Sequence, residues 1–285
     1  MCGLSKIKNK YSDKEIADFI EKSYSCREVM IKMGYNLTSC DNPRIIQKFI
    51  KDHNIDTSHF DRNKNKRTYD LNEHYFKDLS NQNAVYWLGF IMADGSIVKH
   101  HKYSYALAIK LKEEDREHLI KFTKDIGTNK EPIFVNTKDF YGKNDKIYKP
   151  KNQYSITIHS GIMGNDLINL KCLPNKTYLG CFISEEISKQ NFKHFIRGYF
   201  DGDGTIGVND NKLYFSLVGD YNFLIKIQEI MSEELSLSKN KIIWTGTIYR
   251  MKWAGKQCEK IFKWLYDDSD IHLTRKYQKY ANFYF

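Results

Sequence analysis

Two similar stretches stand roughly a hundred residues apart in this chain: Trp87-Leu-Gly-Phe-Ile-Met-Ala-Asp94-Gly95 and Ile196-Arg-Gly-Tyr-Phe-Asp-Gly-Asp203-Gly204. Each is a short, largely apolar run that ends in an aspartate followed at once by glycine. The units of solenoid arrays are shorter than this spacing. The repeat therefore predicts a duplicated domain in which Asp94 and Asp203 are equivalent.

Small residues recur four positions apart in both stretches. They are Gly89 and Ala93 in the first stretch, and Gly198 and Gly202 in the second. Residues at this spacing share one face of a helix, and a face without bulky side chains lets another helix backbone approach closely. We therefore expect two helices packed through these residues. Both runs are too short and too soon interrupted by charge to span a membrane.

The two aspartates would lie at the C-terminal ends of these helices. A carboxylate there faces the negative end of the helix dipole, at a cost on the order of 0.3–1 kcal/mol. A divalent cation between two such carboxylates removes both this penalty and their repulsion, and oxygen ligands suit Mg²⁺ or Ca²⁺. A single Asp-Gly pair is more often only a turn; its repetition in one apolar setting favours a metal site. We expect Gly95 and Gly204 to have the positive φ common at helix ends.

The two stretches resemble the signature helix of the LAGLIDADG homing endonucleases, and their tandem arrangement resembles the single-chain members of that family. The resemblance implies that Asp94 and Asp203 hold the catalytic Mg²⁺, with Gly95 and Gly204 beside them in the metal site. Mn²⁺ or Ca²⁺ would be able to substitute. In the first stretch Met92 departs from the acidic residue often found at its position.

The resemblance also assigns a role to Lys176 and Lys276, which stand at equivalent places late in each half. In the family a lysine at this place orders water around the scissile phosphate, so both are predicted to be catalytic. Without the repeat, either would be interpreted as an ordinary surface lysine.

Composition favours a folded protein that binds a polyanion. The 285 residues include 45 Lys and Arg against 35 Asp and Glu, and 14% are aromatic. This aromatic content argues against a disordered basic tail. A basic surface commonly neutralises the DNA backbone, although a solvated surface without a partner can carry the same charge.

The six cysteines form no Cys-x-x-Cys pair, which gives little support to a zinc site. The first residues contain no apolar signal core. We expect reduced thiols and a location in the cytoplasm, the nucleoid or an organelle that holds the target DNA, rather than secretion.

Four segments are predicted: a helical module over residues 1–60, a basic linker over 61–70, and two halves over 71–182 and 183–285. Capping-box spacing predicts helices that begin near Asp13 and Cys26, and a third follows Pro43. The polar side of that third helix consists of Arg44, Gln47, Lys48 and Lys51.

That polar side fits the recognition helix of a helix-turn-helix and fits an ordinary surface helix equally well. The segment 55–60 resembles one found beside accessory DNA-binding modules of phage-type homing nucleases. This resemblance favours DNA binding by the module.

The two halves show the same order of elements. The first half has a strand over 103–112, a helix over 113–126, strands near 132–135 and 153–159, and a helix around 162–170. The second has a strand over 212–218, a helix over 221–235, strands within 241–253 and a helix over 255–266. Each half resembles the αββαββα unit of the family. The predicted fold is therefore α+β, with two pseudo-symmetric halves, a DNA-binding β-sheet saddle and a small all-α N-terminal module.

Alternation predicts an apolar and a polar face on each strand. A twisted sheet with a basic polar face fits the major groove, although any half-buried sheet alternates in this way. The residues predicted to contact DNA from this face are Lys102, Ser104, Lys110, Lys112, Gln153, Ser155, Thr157, His159, Lys212, Tyr214, Ser216, Arg250 and Lys252.

These features predict a monomeric, metal-dependent endonuclease that cuts both strands of double-stranded DNA at a long, asymmetric site. Two alternatives stay open. An RNA maturase of the same fold is compatible with intact aspartates. A catalytically inactive DNA-binding regulator would usually have lost an acidic residue, and both Asp94 and Asp203 are present.

Overall fold

The computed structural model of the chain describes residues 10–35, 43–60, 69–101, 104–137, 140–141, 147–148, 151–175 and 180–284. The chain divides into two compact units, residues 1–69 and 70–285. Both halves of the predicted duplication lie in the second unit. The described residues form ten α-helices and ten β-strands.

The first unit contains the helices α1 (Asp13–Glu21), α2 (Cys26–Lys32) and α3 (Arg44–Asp52). The predicted starts of α1 and α2 are confirmed. At α1 the capping box is complete, because Ser12 and Glu15 each accept a hydrogen bond from the other's backbone N–H. At α2 the Glu28 carboxylate instead accepts from the N–H of Tyr24, at 2.8 Å. The core of this unit consists of Ile16, Ile20, Val29, Met30, Met33, Ile46 and Phe49.

The second unit begins with the first half of the duplication. Its elements are α4 (Gln82–Asp94), β1 (Gly95–His101), β2 (Ser104–Lys112), α5 (Arg116–Asp125), β3 (Ile133–Val135), β4 (Phe140–Tyr141), β5 (Ile147–Tyr148), β6 (Gln153–His159) and α6 (Gly161–Asn169). Four strands form an antiparallel sheet in the order β1-β2-β6-β3, and β4 pairs with β5.

The second half repeats this plan. Its elements are α7 (Phe192–Asp203), β7 (Gly204–Asn209), β8 (Lys212–Gly219), α8 (Tyr221–Leu235), β9 (Ile243–Trp244), β10 (Tyr249–Ala254), α9 (Lys256–Tyr266) and α10 (Thr274–Tyr284). Its antiparallel sheet has the order β7-β8-β10-β9. The predicted α+β fold with two pseudo-symmetric halves is confirmed.

In each half the signature helix runs directly into the edge strand of its sheet. The helix α4 ends at Asp94 and β1 begins at Gly95; α7 ends at Asp203 and β7 begins at Gly204. No loop separates helix from strand, so each aspartate is held at the junction of the helix pair and a sheet. None of the described helices combines the length and the apolar character that a membrane span requires.

Two buried histidines are expected to make the second unit sensitive to acid. Burial lowers the pKa of His194 on α7 to about 4, and it lowers the pKa of His118 on α5 well below its ordinary value. The unfolded chain binds protons at these residues near pH 6.5, so the free energy of unfolding should fall as the pH drops from 6.5 towards 4. His194 contributes about 2 kcal/mol to the loss by pH 5, and His118 adds to it in the same direction.

Chemical denaturation at pH 7.5 and pH 5 measures this loss. His194 is 1% exposed, and neither ring nitrogen has a hydrogen-bond partner among the described residues. His194→Leu should therefore fold and lose less stability at pH 5 than the wild type does. The exposed His74→Gln is the control. An equal loss in His194→Leu and wild type would contradict the assignment.

Candidate active site

The helices α4 and α7 pack with their backbones in direct contact. A Cβ atom at Gly89 would lie 2.1 Å from the carbonyl oxygen of Phe195, and one at Gly198 would lie 1.9 Å from that of Tyr86. No side chain fits at either position. Near the end of the pair, a Cβ at Gly202 would lie 2.3 Å from the Cβ of Ala93. The structure thus places all four predicted small residues in the helix contact.

This contact brings the two aspartates to the same end of the helix pair. The position of a Cβ at Gly202 is 3.4 Å from Oδ2 of Asp94, so the Asp94 carboxylate lies beside the last turn of α7. Asp203 is the next residue of that turn. Asp94 is exposed and Asp203 is half-buried. Two carboxylates from equivalent positions therefore lie close together and within reach of solvent.

The glycines after the aspartates do not have the positive φ that we predicted. The φ angles are −80° at Gly95 and −87° at Gly204, both in extended backbone, so that prediction is wrong. Glycine is needed there for space. A Cβ at Gly95 would lie 2.7 Å from the Ile91 carbonyl oxygen, and one at Gly204 would lie 2.4 Å from that of Phe200. The strand folds back over the last helical turn too closely for a side chain.

Lys276 reaches the same end of the helix pair from α10. Its ammonium group donates hydrogen bonds to the carbonyl oxygens of Phe200 at 2.5 Å, Gly202 at 3.2 Å and Gly204 at 2.6 Å. These bonds use all three N–H donors and place a positive charge at the negative end of α7. Lys276 is only 3% exposed. It can therefore act on a phosphate through its charge rather than by contact.

The charge of Lys276 is set by opposing effects. Burial lowers the pKa of Lys276 to about 8. The negative charges of Asp201, Asp94 and Asp203 oppose this effect, because they favour the charged form. The ammonium group lies against the carbonyl groups that flank Asp203, where its positive charge opposes the repulsion between the two signature carboxylates. Lys176, the other predicted lysine, lies outside the described residues.

Two carboxylates are a suitable protein contribution to a Mg²⁺ site that substrate completes, because Mg²⁺ is often held by one or two carboxylates together with phosphate oxygens and water. No group of three or more His, Cys, Asp or Glu side chains suited to a metal occurs in the described parts of the chain. The carbonyl of Gly204 is a poor candidate ligand, because the Lys276 ammonium already lies 2.6 Å from it and repels a second cation.

A cavity of about 370 Å³ opens beside Asp203. Its lining includes Tyr199, Asp220, Trp244 and Tyr249. The hydroxyl of Tyr199 donates to the carbonyl oxygen of Val218 at 3.0 Å. Burial, and after it the neighbouring Asp203 charge, raises the pKa of Tyr199 well above its ordinary value. Tyr199 is therefore neutral at physiological pH and forms a fixed wall of the site.

A buried polar network behind the site was not found from the sequence. The Asp201 carboxylate is fully buried and accepts hydrogen bonds at 2.8 Å from the hydroxyls of Tyr86 and Tyr266 and from the N–H of Leu273. Burial raises its pKa, against the charge of Lys276. The sequence contains one sign of this network: the two stretches differ at this position, where the first has Met92 and the second has Asp201.

The predicted DNA-contacting residues of the sheets differ in exposure. Exposed are Lys110, Lys112, His159, Lys212, Arg250 and Lys252. Half-buried are Ser104, Gln153, Ser155, Thr157 and Tyr214. Ser216 departs from the prediction: its residue is only 6% exposed, because it lies on the inner strand β8 between Thr205 and Lys252. Lys102 lies outside the described residues.

In the first unit, the polar residues predicted on α3 are all on the surface. Arg44, Gln47, Lys48 and Lys51 are exposed, while Ile46 and Phe49 face the core. The helix thus presents a basic side to solvent.

No protein-family model and no curated protein sequence matches the chain. Its fold is similar to that of the homing endonuclease I-WcaI bound to its DNA recognition sequence, with 12% identity, a TM-score of 0.48, and coverage of 86% of this chain and 96% of that one. LAGLIDADG homing endonucleases and a LAGLIDADG domain are among the solved structures whose fold is similar to that of this chain.

Two further LAGLIDADG structures are similar over a smaller part of the chain. The I-LtrWI homing endonuclease bound to target DNA has 13% identity, a TM-score of 0.43, and coverage of 71% of this chain and 89% of that one. The N-terminal LAGLIDADG domain of DUF199/WhiA has 12% identity, a TM-score of 0.41, and coverage of 73% and 96% respectively.

Proposed function

We propose that this chain is a site-specific, metal-dependent endonuclease of double-stranded DNA, of the LAGLIDADG homing type. One observation carries the proposal: the backbone contact of α4 and α7 brings Asp94 and Asp203 to one end of the helix pair, with the Lys276 ammonium buried beside them. Because one chain carries both signature aspartates, the proposed active form is a monomer.

The proposed role of Asp94 and Asp203 is to bind Mg²⁺, for which Mn²⁺ or Ca²⁺ could substitute. The metal, when bound, polarises the scissile phosphate and favours ionisation of water. Lys276 contributes a fixed positive charge that stabilises the end of α7 and lowers the repulsion between the carboxylates. Because Asp94 is exposed, a phosphate oxygen would have room to reach a metal ion held by the two carboxylates.

The proposed DNA contacts come from the basic outer residues of the two sheets. Lys110 and Lys112 on β2 and Arg250 and Lys252 on β10 are exposed, and each can neutralise a phosphate or reach a base edge. Since the two halves differ in sequence, the proposed target is long and asymmetric. The basic side of α3 is a proposed additional contact.

The direct test is cleavage of DNA that spans the gene's own insertion locus without the insert. Wild-type protein in Mg²⁺ should convert this DNA to two fragments with both strands cut, and EDTA should abolish cleavage. Binding should weaken steeply with salt, because phosphate contacts release counterions.

Tight binding of this DNA without cleavage, in Mg²⁺ and in Mn²⁺, would contradict the endonuclease proposal and favour an inactive regulator. Tighter binding to the structured intron RNA than to duplex DNA would favour a maturase.

A further inference from the structure

We propose that Asp201 is a positioning residue, which fixes the start of α10 and thereby holds Lys276 against the carbonyl groups on either side of Asp203. The catalytic consequence of this inference rests on the proposed endonuclease function. The structural consequence does not.

The Asp201 carboxylate joins three separate elements of the second unit. Oδ2 accepts from the hydroxyl of Tyr86 on α4 and from the N–H of Leu273, and Oδ1 accepts from the hydroxyl of Tyr266 on α9, each at 2.8 Å. Hydrogen bonds to an ionised group are about twice as strong as neutral ones. One residue of α7 therefore anchors the opposite helix of the pair and the chain on both sides of the α9–α10 connection.

The bond to Leu273 fixes the first turn of α10. Besides donating its N–H to Asp201, Leu273 accepts hydrogen bonds through its carbonyl oxygen from the N–H groups of Lys276 at 2.9 Å and Tyr277 at 3.1 Å. Leu273 is thus the residue from which the helix starts. Lys276 lies in this first turn, so its place depends on the anchoring of Leu273.

Lys276 in turn determines the surroundings of Asp203. Two of its three acceptors belong to Gly202 and Gly204, the residues immediately before and after Asp203. Displacement of the ammonium group would leave these carbonyl groups without that donor and would remove a positive charge from the carboxylates. Asp201 and Lys276 are both buried, so each needs the opposite charge of the other to offset the free-energy cost of burying its own charge.

Other groups hold the same connection without replacing Asp201. The buried Arg197 guanidinium donates to the carbonyl oxygens of Leu265 at 3.1 Å and Ile271 at 2.9 Å. Arg275 pairs with Asp115 of the first half, with Nε 2.9 Å from Oδ2. Neither contact reaches the N–H of Leu273, so the register of the first turn depends on Asp201.

The Asp201 carboxylate has no counterpart in the first stretch, because Met92 stands at the equivalent position. A thioether cannot accept three strong hydrogen bonds. Loss of the Asp201 carboxylate should therefore affect the end of α7 more than the end of α4, and the two DNA strands unequally.

Hydrogen exchange measured by mass spectrometry tests the structural step in the absence of DNA and metal. In Asp201→Asn an amide nitrogen replaces one of the two accepting oxygens. Exchange should become about ten-fold faster at the start of α10 and of β7, since the hydrogen bond from the Leu273 N–H is either lost or made to an uncharged oxygen, which binds it about half as strongly. Tyr280→Phe is the matched control on the same helix, because it removes a hydrogen bond to Asp267 and none of the hydrogen bonds of Asp201, Leu273 or Lys276.

The catalytic step is tested on supercoiled plasmid that carries the target. Asp201→Asn should accumulate nicked circles, with the second strand cut about ten-fold more slowly than the first, whereas Tyr280→Phe should resemble the wild type. If Asp201→Asn does not fold, Tyr266→Phe removes only the donor at Oδ1 and should produce a smaller change of the same kind.

Unchanged exchange at the start of α10 in folded Asp201→Asn would overturn the proposal. Equal slowing of both strands would overturn its one-sided consequence. If the wild type cuts no DNA while exchange changes as expected, the endonuclease proposal fails and the positioning role of Asp201 stands.

Discussion

Gly198→Ala is expected to destabilise the unit of residues 70–285 by about 3 kcal/mol or more. The added Cβ would lie 1.9 Å from the carbonyl oxygen of Tyr86 and 2.8 Å from the backbone nitrogen of Phe90. Both neighbours are backbone atoms within α4, so no side-chain rotation can relieve the overlap. The two helices would have to move apart along their length, and this would open the core of both halves. Denaturant unfolding monitored by circular dichroism measures the effect.

Gly246→Ala is the control for replacing glycine by alanine. Gly246 has a φ of +96° and no atom within 4 Å of an added Cβ, so its cost arises only from backbone conformation and should be about 1–2 kcal/mol. A loss in Gly198→Ala no greater than in Gly246→Ala would contradict the backbone contact of α4 and α7.

The helix pair was predictable because its determinant is local. Two pairs of small residues, each pair four positions apart, indicate a close helix contact whichever partner is present. The starts of α1 and α2 were predictable for the same reason, since capping residues act within one helical turn. The positive φ expected at Gly95 and Gly204 was wrong because two different constraints, conformation and space, both select glycine.

The Asp201 network was not predictable because its partners are distant in sequence. Tyr266 and Leu273 follow Asp201 by some sixty to seventy residues, and no periodic pattern connects them. From the sequence alone, Asp201 could equally face solvent. Only the packing of α9 and α10 against α7 shows that its carboxylate is buried. The burial of Ser216 was not predictable for a similar reason. Alternation along a strand assigns Ser216 to one face of the sheet, but it does not reveal that β8 is an inner strand with a neighbour on each side.

The proposed catalytic centre yields the second large effect. Asp203→Asn should lower the rate of double-strand cleavage about a thousand-fold or more, because a metal ion supplies several kcal/mol of transition-state stabilisation and the amide is a much weaker ligand. Asp94→Asn should act likewise, since its carboxylate lies at the same end of the helix pair. Affinity for the uncut DNA should be kept or increased, because each variant removes a negative charge near the phosphates.

Asp220→Asn is the control that distinguishes metal binding by a carboxylate from the effect of its negative charge. Asp220 lines the same cavity as Asp203, so its replacement removes an equal charge from the same surroundings. The fold should be unaffected, because Asp220 is the N-cap of α8, accepting hydrogen bonds from the N–H groups of Asn222 and Phe223, and asparagine caps helices as well as aspartate does. Single-turnover cleavage in Mg²⁺ should therefore be near wild type in Asp220→Asn and nearly absent in Asp203→Asn. Equal losses in the two variants would mean that the charge around the cavity, and not metal binding by the signature aspartates, controls the reaction.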